Sequence, residues 1–437
     1  MEVFMAQLEN MGPRSRPPLK HWIPLSFQHV FAMFGATILV PILTGLNPAA
    51  ALFTAGTGTL IYILITGAKV PAFLGSSFAF IVPIISISAA YGIPYAMGGA
   101  VASGLFYCVV GLIIKFSGTR WLDKALPPVV IGSVIIVIGL SLAPVAMNMA
   151  MEGADGNYSL VCLSIAAVTL AITVVGSIFF KGFFNTIPIL IGLVSGYLFT
   201  LIMGFFFPAY ALINFQVVKD APWVGLPTFQ VPRFNFVAVL TFVIVSIATI
   251  CEHLGDTLVT SKIVGQDFYK NPGLHRTLAG DGLATAWAAF WGGPPNTTYS
   301  ENVGVMAITR VFSVWIIGGA ALIAVLLSFF RKFGALIQTI PSPVLGGISM
   351  LLFGIIASSG LRTIVESGVD YKDKRNLTIS SVILVIGIGG GKLAFAVTGG
   401  IEFQLAGVAF ATVVGIALNL VFPPSKGKIS DTVERTR

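Results

Sequence analysis

Two carboxylic acids stand inside stretches that are otherwise apolar: Glu252, in Ile250-Cys251-Glu252-His253-Leu254-Gly255-Asp256, and Glu301, in Asn296-Thr297-Thr298-Tyr299-Ser300-Glu301-Asn302-Val303-Gly304. An ionisable side chain at membrane depth is costly unless it faces a cavity or a partner, so each marks a place where a polar ligand or a proton is handled. Asp256 follows Glu252 by four residues, which stacks the two acids on one helix face. Two such acids do not both ionise without compensation, and an acid that alternates between charged and neutral forms is what proton-coupled transport requires. Either could instead bond across to a neighbouring span. Asp281, in Leu278-Ala279-Gly280-Asp281-Gly282-Leu283, is open to two readings, a part in the site or a helix-capping role.

The residues around these acids fit a flat heterocycle. Nucleobases carry N–H donors and C=O acceptors along one edge: carboxylates accept from the N–H groups, backbone N–H groups donate to the carbonyls, and an aromatic ring covers the face. Phe78 and Tyr299 occupy matching places in two related segments and are candidates to flank such a ring. Gln28 and His29 are polar in an apolar span and are expected to brace the site from behind. His253, beside Glu252, is read as a packing histidine directed to another helix face. No Ser-His-Asp set, phosphate-binding loop or metal-spaced His/Cys cluster accompanies them, so no catalytic residue, cofactor or metal is expected and the chain reads as a carrier, not an enzyme.

The elements that position these groups are membrane spans. Of 437 residues, 56% are apolar and 10% charged, and a helical span needs about 20 apolar residues. The pattern predicts an all-α polytopic membrane protein with about fourteen segments, at 25–44, 48–67, 72–90, 96–117, 126–145, 159–179, 186–207, 235–256, 277–292, 298–310, 311–330, 337–357, 376–391 and 400–422. The net charge of +8 follows topology. With the N-terminus inside, only Lys219, Arg233, Arg331, Lys332 and Lys392 of the 25 Lys and Arg fall outside, which places both termini in the cytoplasm and argues against a nucleic-acid partner. The polar stretch before Leu25 has no separate apolar core, so no cleavable signal is expected and the chain is assigned to a bacterial inner or cell membrane. Cys108, Cys162 and Cys251 are too few and too scattered for a disulfide framework and read as small packing residues.

The two halves echo each other. Gln28-His29 is followed about fifty residues later by Ser76-Ser77-Phe78-Ala79; Glu252-His253 is followed by Thr297-Thr298-Tyr299-Ser300. Seven segments per half give the second half the opposite sense, as inverted repeats require. Pro71 and Gly75 precede the first hydroxyl-aromatic segment, and Gly292, Gly293, Pro294 and Pro295 precede the second. Such sequences leave backbone groups unpaired, so segments 3 and 10 are expected to hold two short extended pieces that cross near the midplane and lead into half-helices. The longest polar loops are expected at 208–234 and 360–375.

At Glu301-Asn302-Val303-Gly304-Val305-Met306-Ala307-Ile308-Thr309-Arg310 the chain resembles the signature of the nucleobase–ascorbate transporter family, an acid or amide followed by N-x-G-x4-T-R. Pro295-Asn296-Thr297-Thr298-Tyr299, Asn271-Pro272-Gly273-Leu274-His275-Arg276 and Gln28-His29 look like its uracil-carrying bacterial branch, and the likeness runs from about Pro17 to Phe422. The resemblance implies a core domain (25–117 and 235–330) and a gate domain (118–234 and 331–422) between tails at 1–24 and 423–437. By motif it implies a substrate site of Ala36, Phe78, Glu252, Tyr299, Ser300 and Glu301, with Glu301, Glu252, Asp256 and Asp281 as proton-coupling candidates and Gln28, His29 and Asn302 in support. It further implies uracil uptake by proton symport, in a homodimer in the lipid bilayer. Two positions depart from the pattern. Uracil carriers resembling this chain have His in place of Asp256 and an amide in place of Asp281, whereas purine carriers tend to have Asp at both. Purine carriers usually have Gln at the place of Glu301, so uracil leads and xanthine, alone or with uracil, stays open. An anion exchanger or channel of the same fold is disfavoured because the glutamates would repel an anion.

Overall fold

The computed structural model describes residues 11–423, apart from 154, 208, 209 and 398–400. The tail expected at 423–437 thus lies outside the described residues beyond Pro423. Without water to bond to, an apolar segment must pair its backbone within itself, and these runs accordingly form helices. In chain order they are α1 (Leu19–Thr44), α2 (Pro48–Ile65), the strand β1 (Leu74–Ser76), a tight turn over Phe78–Phe80 leading into α3 (Ile81–Tyr91), α4 (Ile93–Ser117), α5 (Pro128–Leu140), α6 (Ala143–Met151), α7 (Leu160–Phe179) and α8 (Pro188–Phe206). Next come α9 (Phe236–Val264), α10 (Leu274–Phe290), β2 (Asn296–Thr298), α11 (Ser300–Thr309), α12 (Val314–Ser328), α13 (Ser342–Glu366), α14 (Lys374–Ile388), the strands β3 (Lys392–Val397) and β4 (Ile401–Ala406), and α15 (Gly407–Val421).

Among the described residues, eight helices are long and apolar enough to cross a membrane, α5 and α6 counting as one, and α3, α12 and α15 are shorter apolar helices. Several expected boundaries move. The segment placed at 235–256 continues to Val264 and stops at Gly265, whose φ of 73° and N–H bond to Ser261 O make a left-handed cap. Polar side chains end an apolar window but do not end a helix. For the same reason α13 runs on to Glu366, and the loop expected from 360 begins after it. The segment at 400–422 opens as β4, which pairs antiparallel with β3 from Lys392↔Ala406 onward. That hairpin was not foreseen.

Two groups of helices pack mainly among themselves. In one, α10 lies against α4 and α2, α12 against α2 and α1, and α9 against α4; in the other, α13 lies against α5, α6 and α7, and α14 against α15 and α5. Small residues make both main seams. A Cβ on Gly104 of α4 would run into the backbone of Gly282 and Ala286 on α10, and one on Gly360 of α13 would come within 2.6 Å of Gly132 O on α5. In lipid, where apolar side chains gain little by leaving solvent, such close approach is what holds helices together.

Candidate substrate site

The site is built around β1 and β2. They pair antiparallel, Leu74↔Thr298, Gly75↔Thr297 and Ser76↔Asn296, so the two expected extended pieces are joined as a ladder. Each short strand leaves backbone groups that its partner does not reach, and threonines of the flanking helices meet them. Thr59 Oγ1 of α2 accepts from Leu74 N at 2.9 Å and donates to Leu74 O at 3.2 Å; Thr285 Oγ1 of α10 donates to Asn296 O at 2.8 Å. Buried backbone polar groups are almost always paired. Gly75 is required by close approach, because a Cβ there would lie 2.5 Å from the Tyr299 ring. That ring is fixed by its hydroxyl, which donates to Ser76 O at 3.1 Å and accepts from Thr37 Oγ1 at 3.3 Å.

Beside the ladder, Phe78, Glu252, Asp256, Thr297, Tyr299, Ser300 and Glu301 line one narrow cavity, closed on the far side by Ile135 of α5 and Ile356 and Ser359 of α13. Three acids therefore meet at one place. Thr297 Oγ1 donates to Glu252 Oε2 at 3.4 Å; Thr298 Oγ1 and Ser300 Oγ donate to the two oxygens of Asp256 at 2.9 and 2.7 Å. Glu301 lies in the first turn of α11, where the free N–H groups of a helix start favour negative charge. The Phe78 ring meets Phe353 of α13 edge to face at 5.6 Å between centroids.

Asp256 sits differently from its expected place. The segment expected to end at 256 runs on for two further turns, so Asp256 lies well inside α9 and in the cavity wall. Asp281 is not a helix cap. It lies inside α10, fully buried, with Oδ2 at 2.9 Å from His253 Nδ1. His253 does point to another face of α9, yet it is half of an ion-pair geometry and not a plain packing residue. Ala36 is buried in the core of α1 and does not line the cavity. Of the supporting residues, Asn302 Nδ2 donates to His29 O and Nδ1 at 3.0 and 3.1 Å, which ties α11 to α1 behind the site; Gln28 Nε2 instead reaches Thr186 Oγ1 at 2.7 Å. Two hydroxyl residues flanking Tyr299 were the available signal for the Asp256 contacts, since the extended backbone at Tyr299 can turn Thr298 and Ser300 to the same side. The glycines on either side of Asp281 were the signal for close helix approach there.

A second cavity, a crevice of about 710 Å³, runs between α3 and α9 on one side and α5, α14 and β4 on the other, and Phe78 is the residue it shares with the site cavity.

The model of the permease family, Xan_ur_permease, matches residues 20–394. The chain belongs to the nucleobase–ascorbate transporter family. It is 52% identical to the uracil permease of Bacillus subtilis (strain 168) over 437 residues, covering 98% of each chain, and 47% identical to the uracil permease of Escherichia coli (strain K12) over 416 residues, 94% of each. In fold it is similar to the transmembrane domain of the cyanobacterial bicarbonate transporter BicA, with a TM-score of 0.64, 16% identity, and 95% of this chain and all of that one covered. It is also similar to the anion transporter SLC26A9, with a TM-score of 0.68, 12% identity, and 93% and 66% covered. At such low identity the likeness to these transporters concerns the fold alone. This family member is a multi-pass membrane transporter.

Proposed function

We propose that this protein imports uracil by proton symport through alternating access. The observation that carries the reading is the meeting of Glu252 and Glu301 at one cavity beside paired strands, in a chain about half identical to uracil permeases. Glu252 and Glu301 accept from the ring N–H groups, and backbone N–H groups beside Phe78 and at the start of α11 donate to the ring carbonyls. Tyr299 and Ser300 shape the pocket, and His29 and Asn302 hold it in place. Glu301, Glu252, Asp256 and Asp281 are the acids through which a proton is coupled.

The wider architecture in this reading is fourteen segments in two inverted repeats, with α1–α4 and α9–α12 as core and α5–α8 and α13–α15 as gate, both termini cytoplasmic and the protein a homodimer. The separate packing of those two helix groups supports the division. Phe78 and Phe353 stand where core meets gate, so relative movement of the groups would open and shut the site.

Aspartate at 256 and 281, as in purine carriers of the family, favours a second reading in which xanthine shares the site. The test is uptake of labelled uracil into sealed vesicles against unlabelled xanthine, uric acid, cytosine and thymine, with and without a pH gradient. Competition by xanthine at uracil-like concentrations would establish dual transport. Uptake that ignores the pH gradient and requires sodium would overturn proton coupling.

A further inference from the structure

The stretch Asn271-Pro272-Gly273-Leu274-His275-Arg276 plays no part in the substrate cavity. Asn271 instead lines a third hollow, of about 580 Å³, beside the end of α9, together with residues 12–15, Lys69 and Gln266. Its walls are anchored. The chain before α1 is laced to the link between α11 and α12: Phe312 N donates to Met11 O at 2.9 Å, Val314 N to Pro13 O at 2.8 Å, and Ser313 Oγ to Ser15 O at 2.6 Å. Arg14 therefore stands between two fixed residues. Its Nη2 donates to Gly67 O at 3.5 Å, a long bond that leaves the rest of its fork open. On the facing wall Lys69 Nζ donates to Asn271 Oδ1. Arg276 brings a third cation to the same turn, since its Nη1 lies 3.9 Å from where a Cβ on Gly67 would stand.

Among the described residues, none of these three cations meets a carboxylate. Asp267, next to Gln266 in the chain, is already engaged: its Oδ1 accepts from Tyr269 N and Lys270 N at 3.1 and 3.3 Å, and its Oδ2 pairs with Lys270 Nζ at 3.7 Å. Like charges gathered without a counter-charge repel one another and hold a positive potential over the hollow. Topology accounts for basic residues on one side of a membrane, yet it asks only for their presence in loops. Convergence on one walled hollow is a further property, and it is what an anionic ligand requires.

We propose that this hollow binds a phosphate-bearing anion, which ties the chain before α1 to the turn at 67–69 and to the link from α9 to α10. A guanidinium offers a planar fork to two phosphate oxygens, and an ammonium adds a compact charge beside it. The Ser15 hydroxyl and the amides of Gln266 and Asn271 line the hollow and can donate to the remaining oxygens. Its volume falls within the range of small-molecule sites, about 300–1,000 Å³, and leaves room for the group that the phosphate carries. An anionic phospholipid headgroup and a free phosphate ester share this chemistry. The hollow and the substrate cavity have no lining residue in common, so its filling is separable from uracil binding.

The experiment follows the thermal-unfolding midpoint of the full chain in detergent as inorganic phosphate, glycerol 3-phosphate or phosphatidylglycerol is added. Potassium chloride at matched ionic strength is the control for the soluble compounds, and phosphatidylcholine is the control for the lipid. The wild-type midpoint is expected to rise above the control, by an amount that grows with the logarithm of ligand concentration. A rise with the soluble compounds identifies a free ester as the occupant; a rise with phosphatidylglycerol alone identifies the lipid headgroup. Arg14→Gln combined with Lys69→Gln is expected to weaken the apparent affinity about tenfold or more while keeping a single cooperative transition. Arg14→Gln alone stands in if the double variant does not fold, with a loss of about threefold or more. The proposal is overturned if none of the three compounds raises the wild-type midpoint above its control, or if the folded variant responds as wild type does.

Discussion

Asp256 accepts hydrogen bonds from both Thr298 and Ser300, the residues on either side of Tyr299, so it fixes the turn from β2 into α11 as well as lining the cavity. Its replacement by Asn leaves one acceptor oxygen and sets an NH2 group against a hydroxyl. Asp256→Asn is expected to weaken uracil binding by several-fold, read by calorimetry on folded protein, and this revises the placing that the sequence implied. Glu252→Gln and Glu301→Gln should cost more, because a buried polar partner left unpaired costs about 1–3 kcal/mol and more when charged. Each is expected to lose uracil affinity by more than tenfold. Near-normal affinity in both would remove the glutamates from the site. At this scale the acids themselves were legible, because Glu or Asp in an apolar run stands out by type alone. Their partners were not: His253 and Asp281 are 28 residues apart, and only the approach of α9 to α10 brings them together.

The elements that carry these residues depend on a few contacts out of proportion to their length. Two three-residue strands cannot satisfy their own backbone, and Thr59 meets both polar groups of Leu74. Thr59→Val keeps the shape and removes the hydroxyl. It should lower stability by about 2–6 kcal/mol through two orphaned backbone groups, seen as a reduced midpoint in thermal unfolding in detergent. Gly75→Ala places a methyl against the Tyr299 ring; transport is expected to fall to a small fraction of normal and to recover in part when Tyr299→Leu is added. No recovery would mean that Gly75 serves some need other than room. The extended pieces were readable from Pro and Gly before hydroxyl residues, since those residues cannot continue a helix. Their pairing was not, because register is a relation between strands more than 200 residues apart. The β3–β4 hairpin lay hidden for a related reason: its residues pass equally for the apolar start of a span.

For the whole molecule, the proposed alternating access requires the crevice between α3 and α9 on one side and α5, α14 and β4 on the other to change width as the two helix groups move. Thr241 and Ser141 line its opposite walls. With Cys108, Cys162 and Cys251 replaced by Ser, the pair Thr241→Cys and Ser141→Cys bridged by a short bifunctional maleimide is expected to reduce uracil uptake to background, while each single variant treated alike retains it. Full uptake by the bridged protein would show that the walls need not part. A multi-pass helical membrane fold and the presence of acids within its apolar segments were determined by the sequence alone, because hydrocarbon demands long apolar runs and makes each exception conspicuous. Where α9 ends, which wall Asp256 faces, how the strands register and that His253 meets Asp281 were decided only in the tertiary structure. Those outcomes depend on how closely glycine-lined helices approach one another, a property of pairs of surfaces that no single stretch of chain contains.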